Sequence, residues 1–196
     1  GGIDMPKIYT KTGDEGDTKL LFGLTVSKSD PRCEAYGATD QAVSAMGLAR
    51  ALCADDRVKE IVLQTQHEMF IVGAELATDE SKYEYLQNNL SIVTPDMVTR
   101  LEEWIDELNG LMQLPNAFII PGASAGSGAL DLARGQLRTS ERRVVALKEA
   151  GLLVNSEVLR YVNRLSDLLF VLARYEDREL PIEVLTGASR KTGRTE

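Results

Sequence analysis

Apolar positions along most of this chain repeat with a helical period. Between Asp56 and about Ala77, Ile61, Thr65, Met69, Val72 and Leu76 recur at intervals of three and four, the spacing of one buried stripe on a helix. Val98, Leu101, Ile105, Leu108 and Met112 repeat that pattern after Thr94-Pro95-Asp96, where a capping side chain and a proline at the first helical position predict a helix start. This helix is expected to end near Gly110. The same signal at Asp30-Pro31 opens a helix running to about Ala54. Its small residues Ala35, Gly37, Ala38, Ala42, Ala45, Gly47 and Ala49 predict close packing against other helices. Two long helices, about 127–150 and 156–178, flank the short turn 151–155 and are predicted to be antiparallel neighbours. Leu114 to Gly128, with its prolines and glycines around Phe118-Ile119-Ile120, reads as an extended connection, and the stretch after Ala77 as a polar linker.

The expected fold class is therefore all-α: an up-and-down five-helix bundle over 31–180 with no convincing strand. A segment rich in Gly, Thr, Lys and Asp over 1–30 precedes it, and a mobile tail over 181–196 follows. At 196 residues the chain is expected to be one domain, 1–196, able to bury a core without disulfides or structural metal.

Charge narrows the functions open to it. A net charge of −8 disfavours any role that coats a nucleic-acid backbone, so a phosphate site here must be local. No apolar run is long enough for a membrane span, and the N-terminus has neither a basic nor an apolar leader, which together predict a cytoplasmic protein. Cys33 and Cys53 lie too far apart along one predicted helix to form a bridge and read as core thiols. His67, the only histidine, reads as structural or surface. With no Cys/His cluster, a transition metal taking part would have to arrive inside its own cofactor, and no metal ligand is assigned.

Three segments carry candidate chemistry. Tyr9-Thr10-Lys11-Thr12-Gly13-Asp14-Glu15-Gly16-Asp17-Thr18-Lys19 supplies flexible amides, hydroxyls and lysines, the parts of a polyphosphate cradle, without Walker A spacing; a flexible soluble arm is the plainer reading. Arg134, Arg138, Glu141 and Arg142 share one side of their helix, either as a salt-bridged surface or as a phosphate-binding face. Asn163, Asp167 and Phe170 form a polar face topped by an aromatic. The Asn163 amide there needs either a core hydrogen bond or a ligand.

Taken in order, Tyr9–Asp14, Asp30-Pro31-Arg32 with Ala35-Tyr36-Gly37 and Thr39-Asp40, Phe118-Ile119-Ile120-Pro121-Gly122, the Arg134 to Arg142 helix and Asn163–Asp167 resemble the PduO-type ATP:corrinoid adenosyltransferases. The resemblance covers most of the chain. It implies a ferritin-like, cobalamin adenosyltransferase-like bundle assembled as a homotrimer, with ATP bound at subunit junctions. Thr10, Lys11, Thr12, Gly13, Thr18 and Lys28 would hold the triphosphate, and Arg138, Glu141, Arg142 and Asn163 would complete the nucleotide pocket. Asp40 and Arg134 would pair across the interface, while Phe118 and Phe170 would line the corrinoid side. It further implies Mg²⁺ with the ATP, cob(II)alamin and cob(I)alamin as substrate forms, and a reductase and an adenosylcobalamin-dependent acceptor enzyme as partners. The implied reaction moves the 5′-deoxyadenosyl group of ATP to cobalt and releases triphosphate. Thr139, Ser140 and Ala123 replace an arginine, an alanine and a glycine usual in the family, and the tail lacks its frequent aromatic. Two other readings are a non-catalytic ATP- and corrinoid-binding sensor or delivery module, and an interaction scaffold that binds no ATP.

Overall fold

A computed structural model describes residues 7–185. A hairpin of β1 (Asp17–Lys19) and β2 (Thr25–Ser27) leads into α1 (Pro31–Leu52), α2 (Asp56–Leu76), α3 (Tyr83–Asn89), α4 (Pro95–Gly110), α5 (Ala125–Glu149) and α6 (Ser156–Glu176). The helical architecture agrees with the sequence expectation, and two details correct it. The described residues hold six α-helices, because the polar linker contains a short 3-10 turn, Glu80–Lys82, followed by α3. Of α3 only Leu86 is buried, so it carries no apolar repeat to betray it. They also hold the antiparallel hairpin, which pairs Thr18 with Val26 and buries those two residues only in part. The expected tail beyond Leu185 lies outside the described residues.

Capping explains where the helices begin. Asp30 accepts from Arg32 N at 2.8 Å and Asp55 from Val58 N at 3.0 Å, with Pro31 and Pro95 opening α1 and α4. Ser124 and Ser127 cap one another reciprocally, so α5 starts two residues before the sequence expectation. Cys53 is the residue after α1 rather than part of it; it is buried, whereas Cys33 is only half-buried, and both are free.

The small-residue face of α1 packs most extensively against α5 and then α2, while α6 packs on α5 and α4. That close approach leaves no room at Gly126, where a Cβ would fall 2.8 Å from Cys53 Cα. Tyr161, Met46, Ile61, Met69, Leu137 and Leu165 are among the largest fully buried side chains. Within this core Glu68 accepts from the Tyr161 hydroxyl at 2.6 Å and pairs with Arg100. Glu75 accepts from Tyr83 Oη, Val93 N and Asn155 Nδ2 at 2.7, 2.6 and 2.9 Å, tying α2, α3 and the start of α6 together. Buried carboxylates this fully hydrogen-bonded cross-link the helices. No helix of the described residues is long and apolar enough to cross a membrane.

Candidate functional site

The first group of candidate residues sits on the N-terminal loop. Lys28 Nζ donates to Gly13 O at 2.7 Å, and the amides of Gly16 and Lys28 donate to Gly13 O and Gly16 O at 3.2 and 2.8 Å. The loop thus folds back on itself with Lys11 in the left-handed region at φ 62° and the Thr10 and Thr12 hydroxyls 2.8 Å apart. A Cβ on Gly13 would lie 2.8 Å from Lys28 Nζ, so only glycine lets the ammonium approach this closely. Thr10, Lys11, Thr12, Gly13 and Lys28 are gathered in one largely exposed turn, and Thr18 on β1 stands half-buried beside Tyr36.

Behind the hairpin lies a cleft of about 580 Å³, lined by Lys19, Leu20, Leu21, Phe22, Tyr36, Asp40, Val43, Met69, Phe70 and Gly73 among others. Its wall is held in place because Leu21 N donates to Ala77 O at 2.8 Å, anchoring the hairpin's end to the end of α2. Burial, reinforced by its hydrogen bond to Cys33 Sγ at 3.2 Å, pushes the Tyr36 phenol up to about 12. Tyr36 therefore enters the cleft as a neutral hydroxyl. Asp40 is exposed at its rim, and Phe70 leaves 67% of its surface uncovered. Sequence reasoning assigned Tyr36 and Phe70 no role. Phe70 was detectable as a large apolar residue off the buried stripe of α2.

The second group lies on α5 and α6. Asn163 Nδ2 donates to Glu141 Oε1 at 2.8 Å, and the Arg134 guanidinium lies 5.7 Å from the Phe170 ring centroid. Going from Arg134 to Glu141 on α5 matches going from Phe170 back to Asn163 on α6, seven residues each way, which is the register of an antiparallel pair. Asn163 is exposed rather than in the core, and its amide is satisfied by Glu141. Arg142 is oriented by a 2.9 Å bond to the Thr139 hydroxyl. Among the described residues Arg134, Arg138 and Arg142 make no ion pair, so this face is not a salt-bridged surface; Arg143, one position on, reaches Glu34 instead. Arg174, missed from sequence because it sits in an apolar run, is buried against Asp131 and lies 5.2 Å from the same Phe170 ring. Phe118 stands 75% exposed on the extended connection.

No hydrogen bond or ion pair among the described residues joins the two groups, and Asp40 and Arg134 do not pair within the chain. The chain therefore carries two separate groups, one a cationic loop beside a cleft, the other a cationic helix face beside aromatics.

The profile of a family described as Cobalamin adenosyltransferase matches residues 8–176. The chain belongs to that family. It is 39% identical over 178 residues to a corrinoid adenosyltransferase of Mycobacterium leprae, spanning 88% of this chain and 92% of the relative. It is 37% identical to the PduO corrinoid adenosyltransferase of Salmonella typhimurium, of which it spans half the length. Among solved structures, a variant PduO-type ATP:corrinoid adenosyltransferase from Lactobacillus reuteri complexed with cobalamin and ATP superposes with a TM-score of 0.84 at 31% identity, covering 92% of this chain and 99% of that one. A second variant of that enzyme, complexed with ATP, gives 0.79.

Proposed function

We propose that this chain is an ATP:corrinoid adenosyltransferase whose active site forms where the loop half-site of one subunit meets the helix half-site of the next in a homotrimer. The observation that carries the reading is the face of α5, where three arginines make no ion pair and the one carboxylate, Glu141, is engaged by Asn163. Arg134, Arg138 and Arg142 stand within little more than two turns without an ion-pair partner among the described residues, in a chain of net charge −8. Guanidiniums that close repel one another, and a triphosphate relieves the repulsion while using their bidentate geometry. The exposed Leu48, Leu52, Leu63 and Phe70 of α1 and α2, and Leu132 of α5, supply apolar surface for subunit contact.

In this arrangement Thr10, Lys11, Thr12, Gly13, Thr18 and Lys28 hold the triphosphate from one side, and Arg138 and Arg142 hold it from the other. Glu141 and Asn163 take the nucleoside. Because Asn163 Nδ2 is committed to Glu141, its Oδ1 is left to accept from the base or ribose. Asp40 and Arg134 join the two subunits. The cleft beside Asp40, with Phe118 and Phe170 facing it from the neighbouring subunit, receives the corrinoid. Cobalt in its Co(I) state is the nucleophile: it attacks the ribose C5′, the C5′–O bond breaks, and triphosphate leaves with the electron pair. The protein's work is to align the two substrates, neutralise the leaving group and exclude water. Mg²⁺ enters on the nucleotide. Among the described residues no group of three or more His, Cys, Asp or Glu is placed to hold a metal, so the hard oxygens suited to Mg²⁺ are those of the triphosphate.

The test is anaerobic incubation with chemically reduced cob(I)alamin, ATP and Mg²⁺, following adenosylcobalamin by absorption and mass spectrometry. Catalytic conversion is expected. ATP binding without product would instead establish a sensor or delivery module, and absence of ATP binding a scaffold.

A further inference from the structure

Phe118 is held from an unexpected direction. It sits on an extended connection, three-quarters exposed, with no helix of its own. The residues after α6 run alongside it: Leu185 N donates to Phe118 O and Ile120 N donates to Glu183 O, both at 2.8 Å, around an antiparallel bridge between Ile119 and Val184. In extended chain successive side chains alternate. Ile119 is half-buried, and Phe118 and Ile120 on either side of it are exposed. Beneath the pairing, a small cavity has Arg174 and Asp177 in its lining, and Arg174 is the residue whose guanidinium lies over Phe170.

We propose that Pro181–Leu185 is a positioning strap: its backbone pairing with Phe118–Ile120 fixes the backbone at Phe118, and with it the direction in which that side chain leaves the connection. The inference rests on the reading above that Phe118 faces the corrinoid. On an unpaired loop the backbone at Phe118 would sample many conformations, and ordering it would fall on every turnover. With the strap paired, that ordering is already present in the free protein. Pro181–Leu185 touches no substrate in this scheme and acts through Phe118 alone.

The experiment compares Leu185→Pro, which removes the N–H given to Phe118 O, with Leu185→Ala, which keeps it, and with Phe118→Ala as the reference. Leu185 is exposed and lies beyond the last helix, so thermal unfolding is expected to be unchanged in all three. The amide of Ile120 should exchange with deuterium about ten-fold faster in Leu185→Pro than in Leu185→Ala. Its kcat/KM for cob(I)alamin should fall about five- to ten-fold, the loss of about one backbone hydrogen bond, while the KM for ATP stays within about two-fold. Combining Leu185→Pro with Phe118→Ala should cost no more than Phe118→Ala alone. Faster exchange at Ile120 with unchanged corrinoid kinetics would overturn the proposal, as would a parallel rise in the KM for ATP. Unchanged corrinoid kinetics in Phe118→Ala would instead refute the placement of Phe118 itself.

Discussion

Replacing Gly13 by alanine isolates what the N-terminal loop does. The new Cβ would lie 2.8 Å from Lys28 Nζ and 3.1 Å from its Cε. Those atoms are the far end of a flexible side chain, so the fold yields cheaply: Lys28 swings away and gives up its 2.7 Å bond to Gly13 O. Lys28 is exposed and Gly13 half-buried on the same surface turn, and stability should change by less than ~0.5 kcal/mol, the usual scale for such surface changes. Triphosphate binding is another matter, because Lys28 no longer points across the loop. A hydrogen bond to a charged group contributes about 1.5–3 kcal/mol, which converts to a loss of about 10- to 150-fold in kcat/KM for ATP. The assay is steady-state adenosylation at varied ATP for Gly13→Ala, Lys28→Ala and the double variant. If alanine acts only by evicting Lys28, the double variant matches Lys28→Ala. Additive losses, or an unchanged kcat/KM for ATP in Gly13→Ala, would refute the reasoning.

Arg138→Ala should lower kcat/KM for ATP by about a hundred-fold with an unchanged melting temperature, since the side chain is exposed and packs no core; near-normal turnover would remove Arg138 from the triphosphate site. Tyr161→Phe strips one donor from the buried Glu68 carboxylate and should cost about 1–3 kcal/mol in urea unfolding while leaving KM values alone. Alkaline pH should destabilise the fold. Burial pushes the Cys53 thiol up from 9.0 to about 12 and raises the Tyr36, Tyr83 and Tyr161 phenols from 10.0. The unfolded chain releases these protons first. Stability is therefore complete below about pH 9 and declines as pH rises past the unfolded values toward the folded ones, each group adding a slope of up to about 1.4 kcal/mol per pH unit. Denaturant midpoints between pH 8 and 11 should show the decline, and Cys53→Ala should delay its onset.

The parts of the fold legible in the sequence were those written locally. Asp30-Pro31 and Thr94-Pro95 mark helix starts because cap and proline act within one turn, and the stripe from Ile61 to Leu76 is buried as its spacing requires. The hairpin and α3 escaped because backbone bonds and a single buried leucine hold them, and neither leaves a periodic pattern. For the site, the residue types on α5 were visible, but their freedom from carboxylate partners was not. The Glu141–Asn163 bond spans two helices and depends on their register, which no local window encodes. The strap on Phe118 is mainly a backbone pairing, so side-chain identity says little about it.

The separation of the two half-sites also has a genetic consequence. A lesion in the loop, such as Lys28→Ala, and a lesion in the helix face, such as Arg138→Ala, disable different sides of a junction. In the proposed trimer, co-expressed chains would form mixed rings in which about a quarter of the junctions draw an undamaged loop from one parent and an undamaged helix face from the other, as random head-to-tail assembly dictates. Two alleles that are each inactive alone would then complement one another. A chain bearing both lesions would instead spoil wild-type halves, leaving about a quarter of the junctions intact where a single lesion leaves about half, so the severity of a mutation in this protein would depend on which allele it meets.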